Sequence, residues 1–187
     1  LFYGPAQPYP YDVAKAKALL QEAGVANGLE LTILTLAGSL DESSAAVAVQ
    51  QMWAQVGVKL NIEQLDGATR IARWVANDFQ LRFFGATDDV GDPTEAGSIA
   101  AYYPHNECRH SGWQDPHSDE LFLQSDQEPD PAKRAAEYKE MQEMLNAAAP
   151  YLFLYEAPYP TAFRKNAKGF IQTPLGTNIF ELAYLET

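Results

Sequence analysis

The chain has 187 residues, 47% of them hydrophobic, 12% aromatic and 20% charged. That is enough apolar material for the core of one large domain and too much for a wholly disordered segment. Thirteen Lys and Arg against 25 Asp and Glu give a formal net charge of -12, the reverse of what a phosphate-neutralising protein needs, so neither nucleic acid nor an anionic membrane surface is an expected partner.

The chain opens at Leu1 with no signal-like segment. Residues 1–10, LFYGPAQPYP, hold three prolines and two tyrosines and predict an extended entry segment. A first helix is expected after Asp12, with Val13, Ala16, Leu20 and Ala23 on one stripe and Gly24 as a left-handed stop. Residues 29–36 predict a strand buried on both faces. A second helix over 41–56 turns Ala45, Val49, Met52, Trp53 and Val56 inward, and Gly57 closes it. Residues 58–65 alternate as a strand. Asp66 caps a third helix with the stripe Ile71, Trp74 and Val75, and 79–84 is a third strand. Strands alternating with helices predict an α/β fold with a largely parallel sheet covered on both sides.

Residues 85–115 show little periodicity and predict a long functional loop. The steps Asp115-Pro116 and Asp130-Pro131 predict helices over 116–127 and 131–148, because aspartate caps while proline fills a first position that needs no N–H. The second carries the stripe Tyr138, Met141, Leu145 and Ala148, and Pro150 ends it. Strands are expected at 151–155 and 161–164, followed by an appended segment over 170–185.

Three features point to chemistry. FFGATDDVGDPTEAG, residues 83–97, places Asp88, Asp89, Asp92 and Glu95 just beyond a buried strand. Open α/β sheets bind ligands at the carboxyl ends of their strands, and clustered acids suit an amine or a metal ion. Alternatively, Asp92 caps a helix and the other acids face water. His105, Cys108, His110 and His117 are possible metal ligands, but their spacing fits no zinc pattern. Tyr102, Tyr103 and Trp113 lie in the same irregular region and suit the lining of a ligand cleft. There is no GxSxG, GxxxxGK[ST], HExxH or GxGxxG, which shifts the expectation from catalysis to binding.

Several segments, in order, resemble one family. YDVAKAKALLQEAGVANGLELTILT at 11–35, VQQMWAQVGVKLNIEQLD at 49–66 and ARWVANDFQLRFFG at 72–85 are similar to consecutive helix and strand segments of bacterial extracellular solute-binding proteins of the dipeptide, oligopeptide and nickel class. GDP at 91–93, SGWQDPHSDELF at 111–122, DPAKRAAEYKEMQEML at 130–145 and KGFIQTPLG at 168–176 continue the resemblance. It implies a type II periplasmic-binding-protein lobe: an α/β fold with a mostly parallel mixed sheet and helices on both faces. The chain resembles only the C-terminal lobe of a two-lobe receptor. Residues 1–10 would arrive from the other lobe, 11–167 would form the ligand-binding lobe, and 168–187 would cross back.

The function so implied is capture of a peptide or similar amine-bearing solute in an interlobe cleft, for uptake by an ABC importer. The partners would be that solute, the importer's membrane subunits and the N-terminal lobe, with an extracytoplasmic location, periplasmic or lipid-anchored. No cofactor and no enzymatic activity are expected. The resemblance maps the family's ammonium-binding aspartate onto Asp89, with Glu95, Tyr102, Tyr103 and Trp113 as further lining candidates. Where the family commonly carries a tryptophan after the strand's glycine, this chain has Ala86, which enlarges the expected cleft. The alternatives are a hydrolase using residues 88–95, or a receptor for a metal or metal chelate.

Overall fold

The computed structural model describes residues 9–26, 28–85, 91–106, 111–155, 160–173 and 176–186, leaving the side chains of 105 and 106 aside. They form two compact units that divide after Gly85.

The first is built on a sheet. Helix α1 (Val13–Glu22) starts at Asp12, whose carboxylate accepts the Lys15 N–H at 2.8 Å. Strands β1 (Leu29–Leu36), β2 (Val58–Leu65) and β3 (Leu81–Arg82) are all parallel, in the order β2-β1-β3. The β1–β2 ladder runs in unbroken register from Leu29↔Val58 to Leu36↔Leu65. Parallel neighbours need a crossover between them, and α2 (Leu40–Ala54) supplies it. Its buried stripe is Ala46, Val49 and Trp53, packed on Leu31, Ile33, Leu60 and Ile62. The expected inward Met52 is instead half-exposed. With Ala46, Val49 and Trp53 defining the buried face, the helical period puts Met52 off that face. Gly57, at φ +84°, takes the left-handed turn into β2.

Leu34 points to the opposite face and is 1% exposed. There α3 (Gly67–Val75) starts, capped by Asp66, which accepts the N–H groups of Ala68 and Thr69 at 3.0 Å each. The expected stripe does not hold: Ile71 is 55% and Val75 71% exposed. Arginines anchor the helix instead. Arg70 pairs with Glu42 at 2.6 Å, and Arg73 with Glu63 at 2.8 Å and Asp78 at 2.9 Å. A count of apolar spacing cannot see this arrangement, in which aliphatic stems are covered and charged heads meet carboxylates. The third strand is also shorter than expected. It pairs only at Leu81 and Arg82, and the Arg82 guanidinium lies 4.5 Å from the Trp74 ring centroid and 5.1 Å from that of Phe84.

The second unit is helical. In place of the long loop expected over 85–115, the structure has α4 (Thr94–Ala100) and a single turn, α5 (Tyr103–Asn106). Helix α4 is only seven residues long and rich in small side chains, so it carries no stripe. Helices α6 (Pro116–Gln127) and α7 (Pro131–Ala148) start as the Asp-Pro steps predict, with Asp115 and Asp130 accepting backbone N–H groups. Their core is Leu121, Phe122, Tyr138 and Met141 with Ala101, while Leu145 is buried further along α7 and Ala148 faces out. Gly97 brings α4 close to this core: a Cβ there would lie 3.1 Å from Tyr138 Cε1 and 3.2 Å from Phe122 Cδ2. The strands expected at 151–155 and 161–164 do not form. No described strand lies beside either segment, and a lone extended segment has no ladder to join. The chain ends in two short antiparallel pairs, β4 (Ala167–Lys168) with β7 (Tyr184–Leu185) and β5 (Ile171–Gln172) with β6 (Asn178–Ile179).

Candidate functional site

The acidic run comes after β3 in the chain. Phe83 packs against the sheet core, and Phe84 and Gly85 close the first unit. Asp88 and Asp89 lie outside the described residues, as do Cys108 and His110. Asp92 organises the start of the helical unit. Its Oδ1 accepts the Thr94 N–H at 3.0 Å and the Thr94 hydroxyl at 2.5 Å. Its two oxygens also receive both ends of the Arg134 fork from α7, each at 2.7 Å. The N-cap of α4 is Pro93, so Asp92 is not itself the helix cap that one reading of the sequence expects; it binds Thr94 and Arg134 from one residue before it, and it is not one of a set of acids awaiting a cation. The guanidinium holds its carboxyl well below the usual carboxylate range. The same pair pushes Arg134 further above its ordinary value.

Arg134 makes two further bonds. Its Nη2 donates to the Thr94 hydroxyl at 2.8 Å and its Nε to the Ser125 carbonyl at 2.8 Å. The guanidinium also lies 5.3 Å from the Tyr138 ring centroid. Tyr138 closes the network by donating its hydroxyl to Thr94 Oγ1 at 3.2 Å. The start of α4 is thus tied to the end of α6 and the first turns of α7.

Glu95 stands half-buried in the first turn of α4, and its carbonyl accepts the Ser98 hydroxyl at 2.9 Å. Tyr102 stacks on Phe122, with ring centroids 4.7 Å apart and planes 19° from parallel. Trp113 packs on the same cluster as Tyr102. Tyr103 opens the single-turn α5, and its N–H donates to Asp119 Oδ1 at 2.7 Å. Tyr102 and Trp113 are thus brought together as partly buried walls of the helical core. His117 pairs with Glu140 at 2.8 Å across α6 and α7, and the carboxylate raises its pKa. Among the described residues, no group of three or more His, Cys, Asp or Glu is arranged to hold a metal ion.

Sequence reasoning passes over Arg134, although a signal is present. It lies 4, 7 and 11 residues before Tyr138, Met141 and Leu145, on the very stripe that packs inward. A cation on a buried stripe requires an acidic partner.

The model of bacterial extracellular solute-binding proteins, family 5 Middle, matches residues 2–106. Di/tripeptide-binding protein 2 of Pseudomonas aeruginosa is 29% identical over 186 residues, covering 95% of this chain and 34% of that protein. The dipeptide-binding protein of Escherichia coli is also 29% identical, over 96% of this chain and 35% of that protein. The chain therefore spans about a third of the length of the curated relatives it matches. Among solved structures, the ABC transporter-associated periplasmic binding protein DppA from Helicobacter pylori, in complex with the peptide STSA, superposes with a TM-score of 0.80 at 28% identity, over 97% of this chain and 36% of that one. The fold is that of a type II periplasmic-binding-protein lobe. By the family match over more than half its length, the chain belongs to the bacterial extracellular solute-binding proteins of family 5.

Proposed function

We propose that this chain is the C-terminal, ligand-binding lobe of a two-lobe receptor that captures a peptide or another amine-bearing solute for uptake by an ABC importer. The observation that carries this reading is family membership over residues 2–106; the acids at 88, 89, 92 and 95, which follow β3 in the sequence, support it, because open α/β sheets receive ligands at the carboxyl ends of their strands. Relatives named as dipeptide-binding proteins and a structural neighbour in complex with a peptide support a peptide over other solutes. Asp89 would pair with the ligand's ammonium group, Tyr102, Tyr103 and Trp113 would supply apolar contacts, and Glu95 is a further lining residue. Asp92 is already committed to Arg134, which leaves the ammonium to the acids before it.

The receptor acts by binding and not by catalysis. Its location is extracytoplasmic, periplasmic or lipid-anchored, and no helix among the described residues is long and apolar enough to cross a membrane. The other partners are the importer's membrane subunits and the receptor's N-terminal lobe. Residues 1–10 arrive from that lobe, 11–167 make up this one, and 168–187 return. The exposed Leu182, Tyr184 and Leu185 support the last assignment, because water is a poor neighbour for so much apolar surface.

The test is calorimetry of dipeptides on the two-lobe receptor. Truncating one partner of a buried charge pair costs ~2–5 kcal/mol. Asp89→Ala is therefore expected to weaken binding at least tenfold, and equal affinity would remove Asp89 from the site.

A further inference from the structure

We infer that residues 151–155 are an unfinished strand, completed in the whole receptor by a strand of its N-terminal lobe, so that contact with that lobe begins at Tyr151, well before residue 168. The inference rests on the two-lobe reading above and is independent of which solute the receptor takes.

Helix α7 ends at Ala148, and Ala149 takes a left-handed conformation at φ +49° before Pro150. Neither residue can continue the helix, so the chain leaves α7 at a fixed point. The next five residues, Tyr-Leu-Phe-Leu-Tyr, are apolar or aromatic throughout. A short unbroken run of this kind, with no polar alternation, is the pattern of a strand covered on both faces. The Tyr151 and Phe153 rings, two residues apart, meet at 6.3 Å between centroids, as side chains on one face of a strand do. Leu152 and Leu154 then belong to the other face.

Nothing among the described residues satisfies this segment. Leu152 and Phe153, one from each face, are 65% and 61% exposed. No backbone N–H or C=O of 151–155 takes part in a hydrogen bond among the described residues. The Tyr151 hydroxyl is shielded from water and has no partner either. Unpaired backbone beside apolar side chains is what strand addition to a sheet consumes: the ladder takes the N–H and C=O groups, and the layers around the sheet take the side chains.

The occupant follows from what has to be covered. A second copy, offering the same five residues, would complete one edge of the backbone and leave both apolar faces in water. Covering both faces requires a strand that already lies in a layered sheet. The N-terminal lobe has the chain to supply one, because this chain spans about a third of the length of its curated relatives.

The experiment uses the two-lobe receptor, prepared as an equal mixture of light and isotopically heavy protein. Hydrogen exchange is followed over 151–155, and in a second sample Phe153 is replaced by the photoreactive benzoylphenylalanine and its cross-links are mapped by mass spectrometry. The amides are expected to exchange at least about a hundredfold more slowly than in an unstructured peptide, and the cross-link to fall in the N-terminal lobe of the same molecule. Unprotected amides overturn the inference. So does a cross-link within residues 1–187, which assigns the strand to this lobe, or one between light and heavy molecules, which assigns it to a second copy. Dipeptide calorimetry on the same receptor separates the two readings. No dipeptide binding, with the strand protected and cross-linked to the other lobe, removes the peptide reading and keeps this one. Dipeptide binding with 151–155 unprotected does the reverse.

Discussion

The sheet unit and the helical unit solve the same problem by different means. In the sheet unit, β1 is buried on both faces and its alternate residues meet α2 on one side and α3 on the other. Between the sheet and α2, position comes from burial, which is non-directional and tolerant of small rearrangement. In the helical unit, the short α4 has no apolar stripe, and its place is set by a carboxylate, a hydroxyl and a guanidinium meeting at fixed angles. Directed bonds hold the segment just after the acidic loop. The contrast teaches that this lobe keeps an adaptable core between its sheet and α2 and a directed anchor at the start of its helical unit.

The contrast can be broken most strongly at Leu34. Leu34→Ala removes an almost fully buried side chain from the central strand and is expected to cost about 2–5 kcal/mol. Urea denaturation would show this as a lower midpoint at an unchanged slope. A smaller effect is expected in the other unit at Gly97. An added methyl would press on two aromatic rings at 3.1–3.3 Å, and overpacking of this kind costs about 1–3 kcal/mol. Gly97→Ala should lower the melting temperature and disturb the near-ultraviolet signal of the aromatic cluster. An unchanged melt would mean that α4 is less tightly held than its contacts imply.

The smallest effect should be a matter of pH. The His117–Glu140 pair joins α6 to α7, and Glu140, Glu120 and Asp115 all favour the charged imidazole. Because the folded pKa is raised above the ordinary 6.5, the stabilisation is complete below that value and is lost as pH rises through the folded pKa. His117→Gln should flatten this slope between neutral and mildly alkaline pH in a melting series. Asp92 has the opposite sign: its carboxyl is held low, so its contribution is present above about 3.8 and lost as pH falls.

Much of this arrangement is legible in the chain. The 29–36 and 58–65 strands, the caps at Asp12, Asp66, Asp115 and Asp130, and the stripe of Tyr138, Met141 and Leu145 all come from periodicity and turn chemistry. The failures have separate causes. At α3 the inward face is polar, so apolar spacing assigns Ile71 and Val75 to the core and leaves Arg70 and Arg73 uncounted. Helix α4 carries too few large side chains for a stripe to appear. Residues 151–155 have the composition of a strand, but a ladder depends on a neighbour that local sequence does not specify. At the proposed site, the acids can be read as a group, but the commitment of Asp92 to Arg134 cannot. It depends on a contact between residues 42 apart.

The sheet's register has a consequence for solubility. Strand β2 runs eight residues with β1 on one side and no described strand on the other. A long, straight edge is a template on which another copy can add a strand and begin an aggregate. Here the strand interleaves Lys59, Asn61 and Glu63 with its apolar residues, and Lys59 and Asn61 are both tied to Glu30 of β1. An incoming strand would have to lie beside these already paired groups, while the same alternation turns Val58, Leu60 and Ile62 to the other face of the sheet.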